Sequence, residues 1–575
     1  MHLRKAFIKK TGRTYLSIVQ GYRDNNGKSK SKVIESLGYL DKLKEQYDDP
    51  VAHYTKIVDA MNKDRLEEKT VTVSINTDEQ LERGAANRKN YGHVVFSKIY
   101  HELEIDRFLK NARRHENFKF NTDAIMRLLV YTRLLLPSSK RSSVLNKDRF
   151  FGNYRFTLDD VYNALTHFDA ISQGLLKHLH TQVSQAYERQ TGLVYYDVTN
   201  YYFEIDNQDE LRRRGAEKNK RNDPIIQMGL LLDRNGLPIS YKIFPGNTHD
   251  SQTLMPVLKQ AKKDFGIGRI VVVADKALNS GDNIAYNTIL GDGYIYSKSI
   301  RGGSKDFKAW VLDDAGYRQI SDRYTAKSIV VPDAKTNVTT GLTASGRKAK
   351  TGVPLEQKWI SYYSKRYALR AKHKRDEAIE KAIKMIKDPE KYKKAIDYGA
   401  AGYIKNFKVD KDTGEILSPK DILMLDLEKI AEDEKYDGYY AIATSELDAN
   451  DADIIGAYHG LWRIEESFKV TKDVLGLRPI FLRTEEHINA HFLICFISLL
   501  IARVTELRLG GRYTIDKITE TLRRVECSNI EQNLWLFDFA DDVTDEMNEA
   551  LGTDFGKKIM TLKDIRKNLG DTKKN

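Results

Sequence analysis

The sequence predicts an α/β protein whose sheet is interrupted by an inserted α+β domain and preceded by a small β-unit and an all-α domain. Three observations carry this. The run Leu193-Val194-Tyr195-Tyr196-Asp197-Val198-Thr199 is β-rich, and Ile225 to Leu232 and Leu237 to Phe244 continue it as a meander across the hairpin dipeptide Asn235-Gly236. Helical spacing over Ser251 to Phe265, a continuous apolar strand ending Val271-Val272-Val273-Ala274, and helical spacing again over Asn283 to Leu290 then give an α/β order. Residues 301–435 do not continue that order: short strands such as Ser328 to Val331, a Gly/Thr/Ser/Lys stretch at 335–352 and a Lys/Arg-rich helix at 364–387 intervene before Tyr439 to Thr444 restores a strand.

Taken in order, the chain divides as follows. Residues 1–70 form a basic β-rich unit: nine Lys/Arg precede Glu35 against the single acid Asp24, and Thr14 to Val19, a turn at Asn25-Asn26-Gly27 and Val33-Ile34 give strand, turn, strand. Residues 71–190 are α-helical, with Ile125, Leu128, Leu129 and Leu135, then Leu158, Val161, Tyr162 and Leu165 spaced by three and four. Thr157 before Asp159 and Asp160 marks a helix start, because a hydroxyl and acids suit its free amides. Residues 191–300 and 436–505 make the core, 301–435 the insertion, and 506–575 a helical C-terminal region. A long helix is expected over about 452–474 and an apolar one over 487–503.

Composition sets the class of partner. The 575 residues carry 94 Lys/Arg against 81 Asp/Glu, a net charge of +13, which favours a polyanion over a neutral metabolite. Cys495 and Cys527 have no CxxC spacing for zinc and no framework for disulfides, so both are expected to be reduced core thiols. The N-terminus lacks an apolar signal segment, and the run Phe492 to Ala502 is shorter than the ~20 residues of a membrane span. A cytosolic location with no membrane partner is expected.

Two aspartates end strongly β segments, Asp197 and Asp275, where α/β proteins place ligand clefts. Alone, each reads more simply as a turn or cap residue. A third acid comes from the segment Tyr458 to Lys472: at about 100° per residue, Tyr458, Leu461, Glu465, Lys469 and Lys472 fall near one stripe, with Trp462, Arg463 and Glu466 elsewhere. Considered by itself this stripe reads as a solvated charged face.

These residues resemble the DDE transposases of bacterial insertion sequences, in the group with a Tyr-x2-Arg-x3-Glu-x6-Lys signature and a β-rich insertion. The matching blocks are Tyr196-Asp197-Val198-Thr199-Asn200 through Glu204, Gly236-Leu237-Pro238 with Pro245 to Asp250, Val273-Ala274-Asp275, and Tyr458 to Lys472 followed by Leu477-Arg478-Pro479. The resemblance covers residues 1 to about 505. It implies a ribonuclease-H-like core in which Asp197, Asp275 and Glu465 are catalytic and hold two Mg²⁺, with Mn²⁺ as a substitute, as hard ions take oxygen ligands. It implies Mg²⁺-dependent cleavage at transposon ends and transfer of the 3′-hydroxyl ends into target DNA. Double-stranded DNA would be the partner, in the nucleoid, with a homodimer holding the ends.

One position departs from the signature: Leu461 stands where it has Arg, and Arg463 lies about 200° away around an ideal helix. By resemblance Tyr458 and Lys472 contact phosphates, with Lys469 and Arg463 as further DNA-binding candidates. Arg212, Arg213 and Arg214, with Lys218, Lys220 and Arg221, form a basic cluster after the first core strand; Lys365, Arg366 and Arg370, with Lys372, Lys374 and Arg375, form another in the insertion. Either could track a phosphate backbone or be a solvated face. Trp310 and Trp359 read as core, Trp462 as packing its helix onto the sheet, and Asn247, His249 and Asp250 as a helix cap. Two rivals share the pattern: a metal-dependent nuclease of the same fold that does not join strands, and a non-catalytic DNA-binding relative.

Overall fold

The computed structural model describes residues 1–23, 29–67, 78, 80, 83–85, 87–215, 223–343, 346, 348–388, 398–405, 423–531 and 533–574. The turn expected at Asn25-Asn26-Gly27 and the cations Lys218, Lys220 and Arg221 lie outside them. Two units are formed: Met1–Leu175 with Val474–Gly476 and Glu486–Asn575, and Leu176–Asp473 with Leu477–Glu485.

The first unit opens with an antiparallel meander of β1 (His2–Ile8), β2 (Arg13–Arg23) and β3 (Ser29–Tyr39). Leu16, Ile18 and Val19 of the central strand are fully buried. Sequence reading passes over β1 because Arg4-Lys5 interrupts its apolar residues. Helix Pro50–Glu67 follows, then β4 (Arg88–Asn90) and a helical series including His93–Glu102, Ile105–Ala112, Thr122–Leu135 and Leu158–Ala170. The last begins where expected: Thr157 Oγ1 accepts from the Asp160 amide at 3.2 Å while the Asp160 carboxylate accepts from the Thr157 amide at 2.8 Å.

The second unit is built on a nine-stranded mixed sheet, so the protein is mixed α/β. Its strands are β5 (Leu193–Tyr202), β6 (Ile225–Asp233), β7 (Pro238–Pro245), β8 (Val271–Ala274), β9 (Gly293–Ser297), β10 (Arg318–Ser321), β11 (Tyr324–Leu342), β12 (Lys348–Tyr363) and, after the short pair β13 (Ile404–Lys405) and β14 (Met424–Leu425), β15 (Tyr439–Thr444). Their order is β10-β11-β12-β15-β9-β8-β5-β6-β7. β5, β8 and β9 run parallel, while β6 and β7 complete an antiparallel meander. Parallel neighbours need a crossover, supplied by helices Leu254–Phe265 and Gly281–Ile289. Val194, Tyr196, Val272 and Ala274 pack with Leu254, Val257, Leu258 and Ala261 in the core on one face. By the period of two, Tyr195, Asp197, Thr199 and Asp275 belong to the other.

The segment that composition sets apart, 301–435, does not leave the sheet: the hairpin β11–β12 joins it through β15, with Trp359 opposite Ala443 and Ile360 opposite Ile442. Trp310 and Trp359 are half-buried and pack on Phe307, Val311 and Tyr436, as core residues do.

The segment 452–474 is not one helix. Asp451–His459 ends at Gly460, Trp462–Lys469 begins anew, and a wider π turn covers Val470–Val474. Uninterrupted 100° spacing over Tyr458 to Lys472 is therefore corrected, since a break and a π turn each change the phase.

The chain then returns to the first unit. Helix Glu485–Arg508 is the one described helix long and apolar enough to cross a membrane, and 94% of its apolar window is buried inside the protein. Both cysteines are free and buried. The C-terminal region is not only helical: β16 (Glu526–Glu531), β17 (Leu534–Phe537) and β18 (Ile559–Thr561) form a sheet with β4. These strands are three to six residues long, too short for alternation to separate them from helix.

Candidate active site

Sheet register brings the two aspartates together. Leu193 pairs with Val271, Val194 with Val272 and Tyr195 with Val273 in parallel. Two residues further along that register come Asp197, within β5, and Asp275, just past the end of β8, on the same face by the period of two. Asp275 is extended (φ −76°, ψ 170°), and its carboxylate accepts from the Lys276 amide at 2.7 Å, which caps the following 3₁₀ turn. Asp197 is half-buried and Asp275 exposed.

The third acid arrives on helix Trp462–Lys469, which lies along the same face of β5. Tyr195 meets its start: the hydroxyl sits so close to Gly460 that a Cβ there would collide with it, and the Arg463 guanidinium lies 5.9 Å from the ring centre. Thr199 meets its far end, where the Lys472 ammonium donates to Oγ1. Tyr201 follows, its hydroxyl 2.7 Å from Thr471 Oγ1. The four residues from Tyr195 to Thr199 rise ~13 Å, as do the nine from Arg463 to Lys472. Asp197, midway between them, is thus abreast of Ser467 and Phe468, and Glu465, which is exposed, lies within a turn of that level.

Tyr458, on the preceding helix, lies within electrostatic reach of two of the three. Its phenol pKa is pushed up to about 12 by burial and by the negative charges of Asp275 and Glu465, against a hydrogen bond to Ser297 that pulls it down. At neutral pH it is a neutral hydroxyl beside two carboxylates. His459 anchors that helix, its ring edge-on to Tyr324 at 5.8 Å and Tyr362 at 5.6 Å.

The three acids are an oxygen-only donor set, which suits a hard divalent ion. Among the described residues no group of three or more His, Cys, Asp or Glu side chains is drawn close enough to hold a metal as it stands.

The other expected residues fall as follows. Leu461, in the place of the signature Arg, is 8% exposed at the helix break. Arg463 packs its stem on Gly236, in the β6–β7 turn, and its guanidinium over Tyr195 and Trp462. Trp462 does not pack the helix onto the sheet: it is 54% exposed, and Ile464, Ser467 and Phe468 are buried instead. Lys469 is exposed and Lys472 half-buried near the Tyr201 and Phe468 rings. Arg212 is paired with Asp209 at 2.5 Å and lies over Phe203; the Arg213 backbone bridges to Ile225; Arg214 is exposed, its amide held by Gln208. Lys365, Arg366 and Arg370 are exposed on helix Lys365–Lys387. Arg375 is withdrawn from that cluster, buried in ion pairs with Asp437 and Glu434. Asp250 does not cap with its side chain; it accepts from Gln227 at 3.4 Å.

Sequence reasoning missed Tyr195, Thr199 and Ser297. The first two had a signal, since they flank Asp197 at the period of a strand.

Comparisons with known proteins identify the family. Residues 3–72 match the family model for the IS1634 family transposase N-terminal domain, and residues 202–501 match that for the transposase DDE domain. Asp275 and Glu465 fall inside the second match and Asp197 five residues before it. No curated protein matches. Nine chains of solved structures do, among them a cryo-EM structure of the piggyBac transposase synaptic complex with hairpin DNA, at 10% identity and TM-score 0.35 over 84% of this chain and 85% of that one. A DDE transposase domain implies dependence on a divalent metal ion and action on DNA. With more than half its length matched by that model, the chain belongs to the DDE transposases of insertion sequences and is a DNA transposase.

Proposed function

We propose that Asp197, Asp275 and Glu465 are the catalytic carboxylates of this transposase and that they hold two Mg²⁺ ions. What supports it is the parallel register of β5 and β8, two residues before Asp197 and Asp275 at matching positions, together with the charges of Asp275 and Glu465 both acting on Tyr458. The sheet order β7-β6-β5-β8-β9, an antiparallel meander extended by two parallel strands, supports a ribonuclease-H-like core.

When bound, the ions activate the attacking water or 3′-hydroxyl and neutralise charge on the leaving oxygen. The chain's own groups do the rest. Glu465 moves with its helix, which is bounded by a break and a π turn, to close the set around the scissile phosphate. Tyr458, kept protonated, donates to a phosphate oxygen. Lys472 exchanges its Thr199 contact for phosphate, and Lys469 extends the cationic edge. Leu461 removes one phosphate contact at the break. Arg463, seated on Tyr195, reaches the strand only at its rim. Arg212 to Arg214 and Lys365, Arg366 and Arg370 follow the duplex further out, with a homodimer bringing two ends together.

The test is incubation of the protein with its element's own end sequence, a target plasmid and Mg²⁺ or Mn²⁺, mapping nicks and joined products. Wild type should nick at the end and join the 3′-hydroxyl to the plasmid. Asp197→Asn, Asp275→Asn and Glu465→Gln should each bind the end and do neither; wild-type cleavage by any of them refutes its assignment.

A further inference from the structure

The first unit contains a cavity of about 920 Å³ that holds none of the proposed catalytic residues. Its lining carries six cations, Lys30, Arg83, Lys89, Arg127, Arg566 and Lys573, against one carboxylate, Asp148. Lys89 donates to the Asp148 backbone carbonyl and feels its carboxylate, and Arg127 is paired with Asp123 at 2.9 Å, which leaves the lining net positive. A concave surface of this sign concentrates anions.

The wall is aromatic as well as basic. Phe151 and Trp535 line it edge to face, 4.9 Å between ring centres, with the Lys89 ammonium 5.7 Å from the Phe151 ring. Trp535 is 2% exposed, and its indole N–H has no hydrogen-bond partner among the described residues. Buried indole N–H groups ordinarily find an acceptor, and leaving one unpaired is costly. His93, 1% exposed, has Nδ1 2.9 Å from the Asn90 carbonyl. Burial pushes its pKa down to about 4, against the pull of the Asn90 and Phe151 carbonyls, so the ring is a neutral part of the wall. The lining thus offers one unused donor beside aromatic rings, under a field that attracts negative charge. An inorganic anion would leave the aromatic wall and the indole N–H idle; a neutral heterocycle would leave the cations idle.

We propose that this cavity binds a deoxynucleotide, with its phosphate on Arg566 and Lys573 and its base against Phe151 and Trp535, paired to the indole N–H. The volume is within the range of small-molecule sites and accepts one nucleotide with room for part of a second. The same chemistry is presented by a free nucleotide and by an unstacked unit of a DNA strand. The proposal does not rest on the carboxylate assignment, and its test contains no cleavage step.

The full-length protein is titrated calorimetrically with dAMP and with inorganic phosphate. In parallel, it is photo-cross-linked to a single-stranded oligonucleotide carrying 5-iododeoxyuridine, and the attached peptide is mapped. The variants are the double substitution of the exposed side chains, R566Q with K573Q, and W535F, which keeps a ring and removes the N–H; thermal melts establish that both fold. If the source is a free nucleotide, dAMP binds more tightly than phosphate, the double variant weakens it about tenfold and W535F about fivefold. If the source is DNA, dAMP binding is weak, but the cross-link maps to the Phe151 or Trp535 peptide and the double variant loses it. The proposal is overturned by phosphate binding as tightly as dAMP, by neither dAMP binding nor a cross-link in the cavity, or by binding and cross-linking that the double variant leaves unchanged.

Discussion

Acids at the two ends of the central strands behave in opposite ways. At the end where β5 begins, Asp233 and Asp292 are 0% and 4% exposed. Asp233 accepts from the Asn235 and Leu237 amides at 2.9 Å each, with buried Arg189 3.9 Å away; Asp292 takes Lys262 at 2.6 Å and the Ile270 amide at 3.1 Å. Past the other end of β8 Asp275 is exposed, as is Glu465, and Asp197, within β5, is half-buried. The same side chain is sealed into the fold where buried donors surround it and stays open to solvent where they do not, even when, like Asp275, it also caps a turn. Burial, rather than the residue type, separates the two groups of acids.

Exchanging the charge at each end should break this contrast most plainly. Asp275→Asn and Glu465→Gln should lower end cleavage by at least ~10³-fold, on the scale of ~4 kcal/mol of lost transition-state stabilisation, with melting temperature unchanged. Asp233→Ala should do the reverse. It leaves Arg189 buried without its counter-charge and two turn amides without an acceptor, so chemical denaturation should show a loss of roughly 3–5 kcal/mol. Cleavage per folded molecule should persist.

A buried cation without an acid sharpens the contrast. Lys140 is buried 3.2 Å from His491 Nδ1, and burial together with Arg133 lowers its pKa to about 7. An unfolded lysine titrates near ~10.4, so between about pH 7 and 10 the unfolded chain binds the extra proton and stability rises with pH. Lys140→Met should therefore stabilise the protein by ~1–4 kcal/mol below pH 7, an advantage that fades toward pH 10. Denaturant midpoints across that range check it; a pH-independent difference refutes the burial argument. The smallest effect belongs to the exposed cations: Lys365→Gln or Arg366→Gln should each reduce the slope of log affinity against log salt by ~1 or less, with cleavage at saturating DNA unchanged.

Much of this arrangement was legible in the sequence. Apolar runs fixed β5 to β8 and β15, because buried strands need long stretches of Val, Ile, Leu and Tyr whatever surrounds them. Asp197 and Asp275 could be placed at strand ends but not side by side, since that depends on register across 78 positions of chain. Asp233 looked no different from them, because Arg189 is a partner only in the fold. The helix break at Gly460 was hidden by a periodic stretch on either side, and the glycine itself answers to a close approach of Tyr195, 265 positions away. Trp462 and Arg375 reversed their expected roles for the same reason: exposure is decided by the neighbour, and Leu461 and Asp437 took those places. The basic cavity was invisible because its lining comes from β4, the helices after it and the C-terminal strands together.

The central claim is that Asp197, Asp275 and Glu465 jointly hold divalent metal. The most direct measurement is Mn²⁺ binding to the full-length protein with its end DNA, followed by electron paramagnetic resonance. Wild type should bind two ions per active site, and Asp275→Asn or Glu465→Gln should each lose at least one. Unchanged stoichiometry and affinity in both variants would contradict it.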